Sequence, residues 1–221
     1  MRVFYVCLLV TYMGCVYWLG GSGTPVSKAE LERYIDALSS NNEARGRDSS
    51  KATVWMRDLA KSDDGAEFFM VNLIKYRKRA LYPSDSQWVN DDDPMAADAR
   101  YAEGVIRLLL KRGSLTLFIS SVRGKFVNDV EEHNWDTVAI VRYRSVRDML
   151  DMMIEMSSTD LASHKWASIE KTHVFPVKRE FSLFFLRSAL ALLFVMVAVI
   201  ATLICKRYHR NHHLPSGATL I

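Results

Sequence analysis

Three side chains, Asn72, Tyr101 and His164, carry the chain's best prospects for chemistry. An imidazole that titrates near neutral pH is the natural general base, so His164, ahead of Lys165 and Trp166, takes that role. Tyr101 can supply a phenol to the same cavity. Asn72 interrupts the apolar stretch FFMVNLIKY, and an amide buried there has to find hydrogen-bond partners. It either orients a ligand carbonyl or clamps neighbouring backbone. His164, Tyr101 and Asn72 are therefore the expected catalytic set. His133 and His173 fare worse, and no HxxxH or HExxH spacing links these three histidines. The run Asp91-Asp92-Asp93 lacks the spaced oxygen ligands and glycine of a calcium loop and reads as solvated. No metal site is expected, and nothing in the sequence names a cofactor.

Arg77, Arg142 and Arg144 offer an anion-binding cluster at strand ends, although solvated strand ends carry such charges anyway. The row Met149, Met152, Met153, Met156 offers a flexible apolar surface, and core packing is the preferred reading. No Ser-His-Asp order, phosphate loop or paired-carboxylate signature is present.

The elements that must position these residues are legible from periodicity. Ser27 and Glu30 form a capping box ahead of Leu31, Tyr34, Ile35 and Leu38, which recur at helical spacing. Residues 39–50 are polar and read as a mobile linker, followed by a helix over 51–61 with Trp55, Met56 and Leu59 turned inward. A strand over 68–76, a helix over 95–112 ended by Gly113, and strands over 115–122 and 136–143 follow, the last two separated by turn residues Gly124, Asn128 and Asp129. A helix capped by Ser145, a short helical piece over 161–171 and a strand over 172–177 complete the series. Pro176 has no amide to donate, so the last strand belongs at a sheet edge. The order β-α-β-β-α-β predicts an α+β, ferredoxin-like domain over 67–180. Both faces of its first strand are apolar, and helices cover only one. The other face needs a second copy of the sheet or the helix over 51–61, and a homodimer is the favoured answer.

Charge separates this body from the ends. Of 29 Lys and Arg, five (Arg2, Arg187, Lys206, Arg207, Arg210) lie outside 24–180, and all 25 acids lie inside it, so the body carries 24 basic against 25 acidic groups. A near-neutral body argues against a nucleic-acid partner. Cys7, Cys15 and Cys205 fall in two uncharged apolar stretches, 3–20 and 188–205. At about 1.5 Å per residue the latter is long enough for a hydrocarbon layer of about 30 Å. The expected architecture is an N-terminal hydrophobic signal or anchor helix (1–23), juxtamembrane helices and linker (24–66), the α+β body (67–180), a transmembrane helix (181–205) and a basic cytoplasmic tail (206–221). The tail holds His209, His212 and His213. That makes the lipid bilayer a partner and the expected location the cell membrane, with the body facing the periplasm or outside.

The segments MVNLIKYR, ADARY, WDTVAIVRYRS and HKWASIEKTHVFP resemble the small ferredoxin-like family called domain of unknown function 1330, within the dimeric α+β barrel superfamily. The resemblance covers roughly 68–178 and implies a dimeric barrel fold. Superfamily relatives include cofactor-free monooxygenases and isomerases with quite different sites, so fold does not settle function. The expected role is a membrane-anchored binding or accessory module. A cofactor-free oxidoreductase or isomerase acting on a small apolar substrate, or a subunit of a membrane complex, are the alternatives.

Overall fold

The computed structural model describes residues 2–20, 23–124, 126–127, 134–181 and 186–212. The chain divides into two units, Met1–Lys178 and Arg179–Ile221. His133, His213, Asn128 and Asp129 lie outside the described residues, as do the side chains of His209 and His212.

The first unit is built on a four-stranded antiparallel sheet, β1 (Phe68–Tyr76), β2 (Leu115–Ser121), β3 (Thr137–Tyr143) and β4 (Ile169–Val177), in the order β2-β3-β1-β4. Pro176 thus sits on an edge strand, where its missing amide breaks no ladder bond between two neighbours. β4 begins at Ile169 rather than Thr172, because Tyr76 pairs with Ile169 across a register shift at Lys75/Tyr76.

Helices lie on one face: α2 (Lys28–Glu43), α3 (Ser50–Lys61), α4 (Pro94–Lys111), α5 (Val146–Ser157) and α6 (Leu161–Ser168). Three of these starts, those of α2, α4 and α5, carry a side-chain cap. Ser27 and Glu30 close their capping box, Asp93 accepts from the Met95 amide ahead of Pro94, and Ser145 accepts from the Asp148 amide. Phe68 and Met70 of β1 join Ile35, Met56, Leu109 and Leu150 in one core, and Phe68 stacks on Tyr143 with ring centroids 5.4 Å apart. Met152 is buried in that core, with Met149 and Met153 packed against it, so these methionines fill space.

Two expectations need correction. Residues 39–50 are no linker: α2 continues to Glu43, and the polar side chains beyond are tied to α5 and α6. Asn41 Nδ2 donates to Ser157 Oγ (2.9 Å), Arg45 Nη1 to Asp160 (2.8 Å) and Arg47 Nη2 to Ser163 Oγ (3.0 Å). Polarity here is a bonding surface. Trp55 is 61% exposed while Met56 is 1% exposed, because α3 packs against α2 and α5 and adjacent helical residues point about 100° apart. That position also removes α3 as a cover for the far face of β1.

The termini differ as well. The remaining helices are α1 (Arg2–Leu19) and α7 (Leu186–His212). Among the described residues no helix is long and apolar enough to cross a membrane. The expected C-terminal transmembrane helix, the N-terminal signal or anchor helix and the integral-membrane location are corrected on this finding. α1 instead ends against the body: Trp18 O accepts from Arg144 Nη1 (3.3 Å) and Leu19 O from Arg142 Nη2 (2.5 Å), cations satisfying carbonyls that have no partner within the helix.

Gly65 sits at φ +76°, with its amide on Asp63 Oδ1 (2.8 Å) and its carbonyl accepting from Gly23 N (3.1 Å). A Cβ there would land on the Thr24 backbone. Gly65→Ala is expected to cost about 1–3 kcal/mol, read as a lower denaturant midpoint at unchanged slope.

Candidate functional site

The crossing of α6 over α4 organises the polar side chains of the domain. Gly104 makes it possible: a Cβ at that position would overlap the Leu161 side chain. Neighbouring residues on each helix face opposite sides of the crossing. Arg100 and His164 look one way, Tyr101 and Lys165 the other.

On the first side the loop after β1 folds back. Arg77 N bonds Ser168 O (2.9 Å) and Leu81 N bonds Ala167 O (3.0 Å), which carries Tyr82 beneath α6. Tyr82 and His164 are 6% and 8% exposed, with Tyr82 Oη 2.8 Å from His164 Nδ1. Arg100 Nη1 donates to the same phenol oxygen (3.3 Å), Nη2 reaches Asp91 Oδ2 (2.5 Å), and the guanidinium lies 4.0 Å from the Trp88 ring centroid. Tyr82 Oη and His164 Nδ1 share one proton between them, and the imidazole tautomer decides which of the two donates. Burial, and then the Arg100 charge, hold His164 below its ordinary pKa, against opposing pulls from Asp160 and Asp91. The ring packs edge-on to Tyr82 (5.7 Å) and Trp88 (5.6 Å). His164 thus sits in a buried knot that fastens the β1–α4 loop to α6.

The acidic run is spoken for in the same region. Asp91 pairs with Arg100, Asp92 with Arg79 (2.5 Å), and Asp93 caps α4. Nor do the arginines converge. Arg77 Nε reaches Trp166 O (3.4 Å), Arg142 Nε holds Glu67 (2.5 Å), and Arg144 grips both oxygens of Asp148 (2.5 and 2.8 Å).

The second side is more open. Phe68 and Met70 face the helices, so by strand alternation Asn72, Ile74 and Tyr76 do too. The first three residues of β1 are buried, yet the six from Val71 onward are only half-buried. The row across the sheet at Asn72 explains why: it runs through Ala139 and Ile119 on one flank and Val174 on the other, and Ile119 and Val174 are 67% and 41% exposed. The helix-facing side of the sheet is therefore less covered beyond Met70. Asn72 lies on that side, with its amide engaged by Met70 O (3.1 Å) and Ala139 O (3.3 Å).

At the Tyr76 end, about 13 Å along the strand from Asn72, the Tyr76 hydroxyl donates to Asp98 Oδ2 (3.1 Å). Burial raises Asp98 above the usual carboxylate range, with the Tyr76 bond pulling the other way. Burial and the Asp98 charge push Tyr76 up to about 12. Tyr101, one turn on from Asp98, lies under the Lys165 ammonium at 5.6 Å, and Trp166 flanks the same ammonium at 5.2 Å. Tyr101 and Asn72 thus belong to this less covered side, and His164 to the buried knot. Tyr76, Asp98 and Lys165 were not singled out from sequence. A Tyr four residues after Asn72, and an Asp three before Tyr101, are the spacings that could have found them.

A further groove of about 530 Å³ lies by α2 and α5. Its charges answer one another: Tyr34 donates to Asp151 (2.8 Å) and Arg112 to Glu155 (2.5 Å).

No family model matches the chain, and no curated protein does. Solved structures do. The crystal structure of the RPA0582 protein of unknown function from Rhodopseudomonas palustris, a structural genomics target, superposes with a TM-score of 0.52 at 19% identity, over 58% of this chain and 94% of that one. The methylated form of RPA0582 gives the same TM-score at 20% identity, over 58% and 91%. At such identity the likeness is one of fold.

Tyr82→Phe is expected to cost about 1–3 kcal/mol by leaving a buried Nδ1 without its partner. An unfolded histidine takes up a proton below about pH 6.5 and the folded one resists it, so this contribution to stability is whole above about pH 6.5 and shrinks as pH falls from there toward the depressed folded value. Denaturant midpoints across that range are expected to slope downward toward acid in the native chain, and less so in His164→Phe.

Proposed function

We propose that this chain is a small-molecule-binding module of the α+β barrel type that works as a homodimer, with the ligand in the cleft between β1 and α4. One observation carries the reading: the helix-facing side of the sheet is left half-open beyond Met70, where Asn72, Tyr76, Asp98, Tyr101 and Lys165 gather. Pockets that combine apolar walls with a few converging polar groups are the usual form of small-molecule sites. The resemblance of 68–178 to the domain of unknown function 1330 family supports the same fold-level reading.

The dimer rests on the opposite face. Val71, Leu73, Val138, Ile140 and Phe175 share it by register, and Phe175 is 36% exposed. Two such faces packed about 10 Å apart would bury one another. A catalytic second reading draws on Asp98, a carboxyl raised by burial beside a phenol, which suits proton transfer in a cofactor-free isomerase.

Native mass spectrometry of the full chain is expected to show a dimer carrying a copurified or added small ligand. Isoleucine at Asn72 should weaken that ligand, and a ligand-free spectrum throughout a broad screen would defeat the cleft. Phe175→Glu is expected to reduce self-association at least about tenfold by sedimentation, and an unchanged dimer would defeat the face.

A further inference from the structure

We infer that the Tyr76 end of the cleft is a carboxylate-binding subsite for a small planar acid, its anion held by Lys165 and its flat body lying along Tyr101 and Ile74. This rests on the cleft reading and names the ligand class for it.

Lys165 has no carboxylate within ion-pair distance among the described residues, although its charge is felt by Asp98. Lys165 is half-buried, flanked by two aromatic rings, and among the described residues it makes no ion pair. Several cations at strand and helix ends do, with Arg100, Arg112, Arg142, Arg144 and Lys75 each holding a carboxylate, whereas Arg77 reaches the Trp166 carbonyl instead. Ring faces compensate a partly desolvated cation only in part. A carboxylate arriving at Lys165 supplies what the fold withholds.

The neighbouring Asp98 selects among anions. The groups that act on it are Tyr76 from β1 and Lys165 from α6. An ionised Asp98 repels any incoming anion, but a protonated one donates a hydrogen bond to it, so carboxyl and carboxylate can share one proton. A singly charged carboxylate suits one ammonium and one protonated carboxyl, whereas a phosphate dianion would leave excess negative charge in a half-buried place. Tyr101 and Ile74 offer the ligand a ring face and an apolar wall, which favours a flat, mostly apolar body.

The test is an amide-resolved NMR titration of the full chain with benzoate, benzamide and phenyl phosphate. Benzoate is expected to shift the amides of 74–76, 98–101 and 165–166 and to bind at least about tenfold more tightly than benzamide or phenyl phosphate. Its affinity should rise as pH falls from about 8 to about 5, as Asp98 takes up its proton. Lys165→Met should lose the preference for benzoate over benzamide, and Lys165→Arg should keep it. Asp98→Asn, which donates at every pH, should keep benzoate binding and flatten its pH dependence. Equal binding of benzoate and benzamide, a preference for phenyl phosphate, or an affinity indifferent to pH overturns the inference even if the Met variant fails to fold. Equal binding with shifts at these amides would leave the cleft standing, and no response to any of the three overturns the anion subsite alone, since the mass-spectrometric screen decides the cleft.

Discussion

β1 is a central strand with apolar side chains on both faces, and a single helix layer can hide only one of them. Burying a side chain such as Val, Leu or Phe contributes about 1.5–3 kcal/mol, so each uncovered row is a substantial loss. The helices close over Phe68 and Met70, where Leu109, Leu150 and Met56 meet them, and then diverge. The proposed ligand cleft lies beyond Met70 on one side, and the proposed dimer face is the apolar face on the other. Both functional readings follow from that one shortfall.

Divergence is controlled at the α4–α6 crossing. Gly104 lets the Leu161 side chain approach the α4 backbone, and the Tyr82–His164–Arg100 knot pins the long loop beneath α6. Its bonds interlock: phenol with imidazole, guanidinium with phenol and Asp91. A buried network braced in this way is rigid, since a change of rotamer at Tyr82 or His164 breaks a bond in low dielectric. Rigidity there keeps Lys165 and Tyr101, the next residue along each helix, in a fixed place at the cleft. The knot that absorbs His164 thus holds the cleft in shape.

Local signals were readable in the letters. The Ser27/Glu30 box, the apolar run of β1, the Ser145 cap and the placement of Pro176 on an edge strand depend on neighbours in sequence, and the structure uses each as its chemistry suggests. Long-range partners were not readable. Tyr82 meets His164 across 82 residues and Tyr76 meets Asp98 across 22, and no periodicity announces such a pairing. Residues 39–50 misled for a related reason: Asn41, Arg45 and Arg47 look solvated until α5 and α6 are beside them. Trp55 misled because an apolar residue beside a core residue on a helix is turned about 100° from it. The terminal stretches misled in another way, since apolar composition and length were read together as a membrane span that no described helix provides.

The distribution of cations ties these threads together. A guanidinium next to a carboxylate at a strand or helix end is the cheapest arrangement for a charge that packing has partly removed from water, and this fold uses it repeatedly. Arg144 is the clearest case: it closes on Asp148, its i+4 neighbour, and still donates to a carbonyl at the end of α1. Against that habit Lys165 stands between two aromatic rings, while Asp98, which feels its charge, is turned to Tyr76. An ammonium so placed is compensated only in part by ring faces, and that shortfall is what the proposed carboxylate ligand would meet.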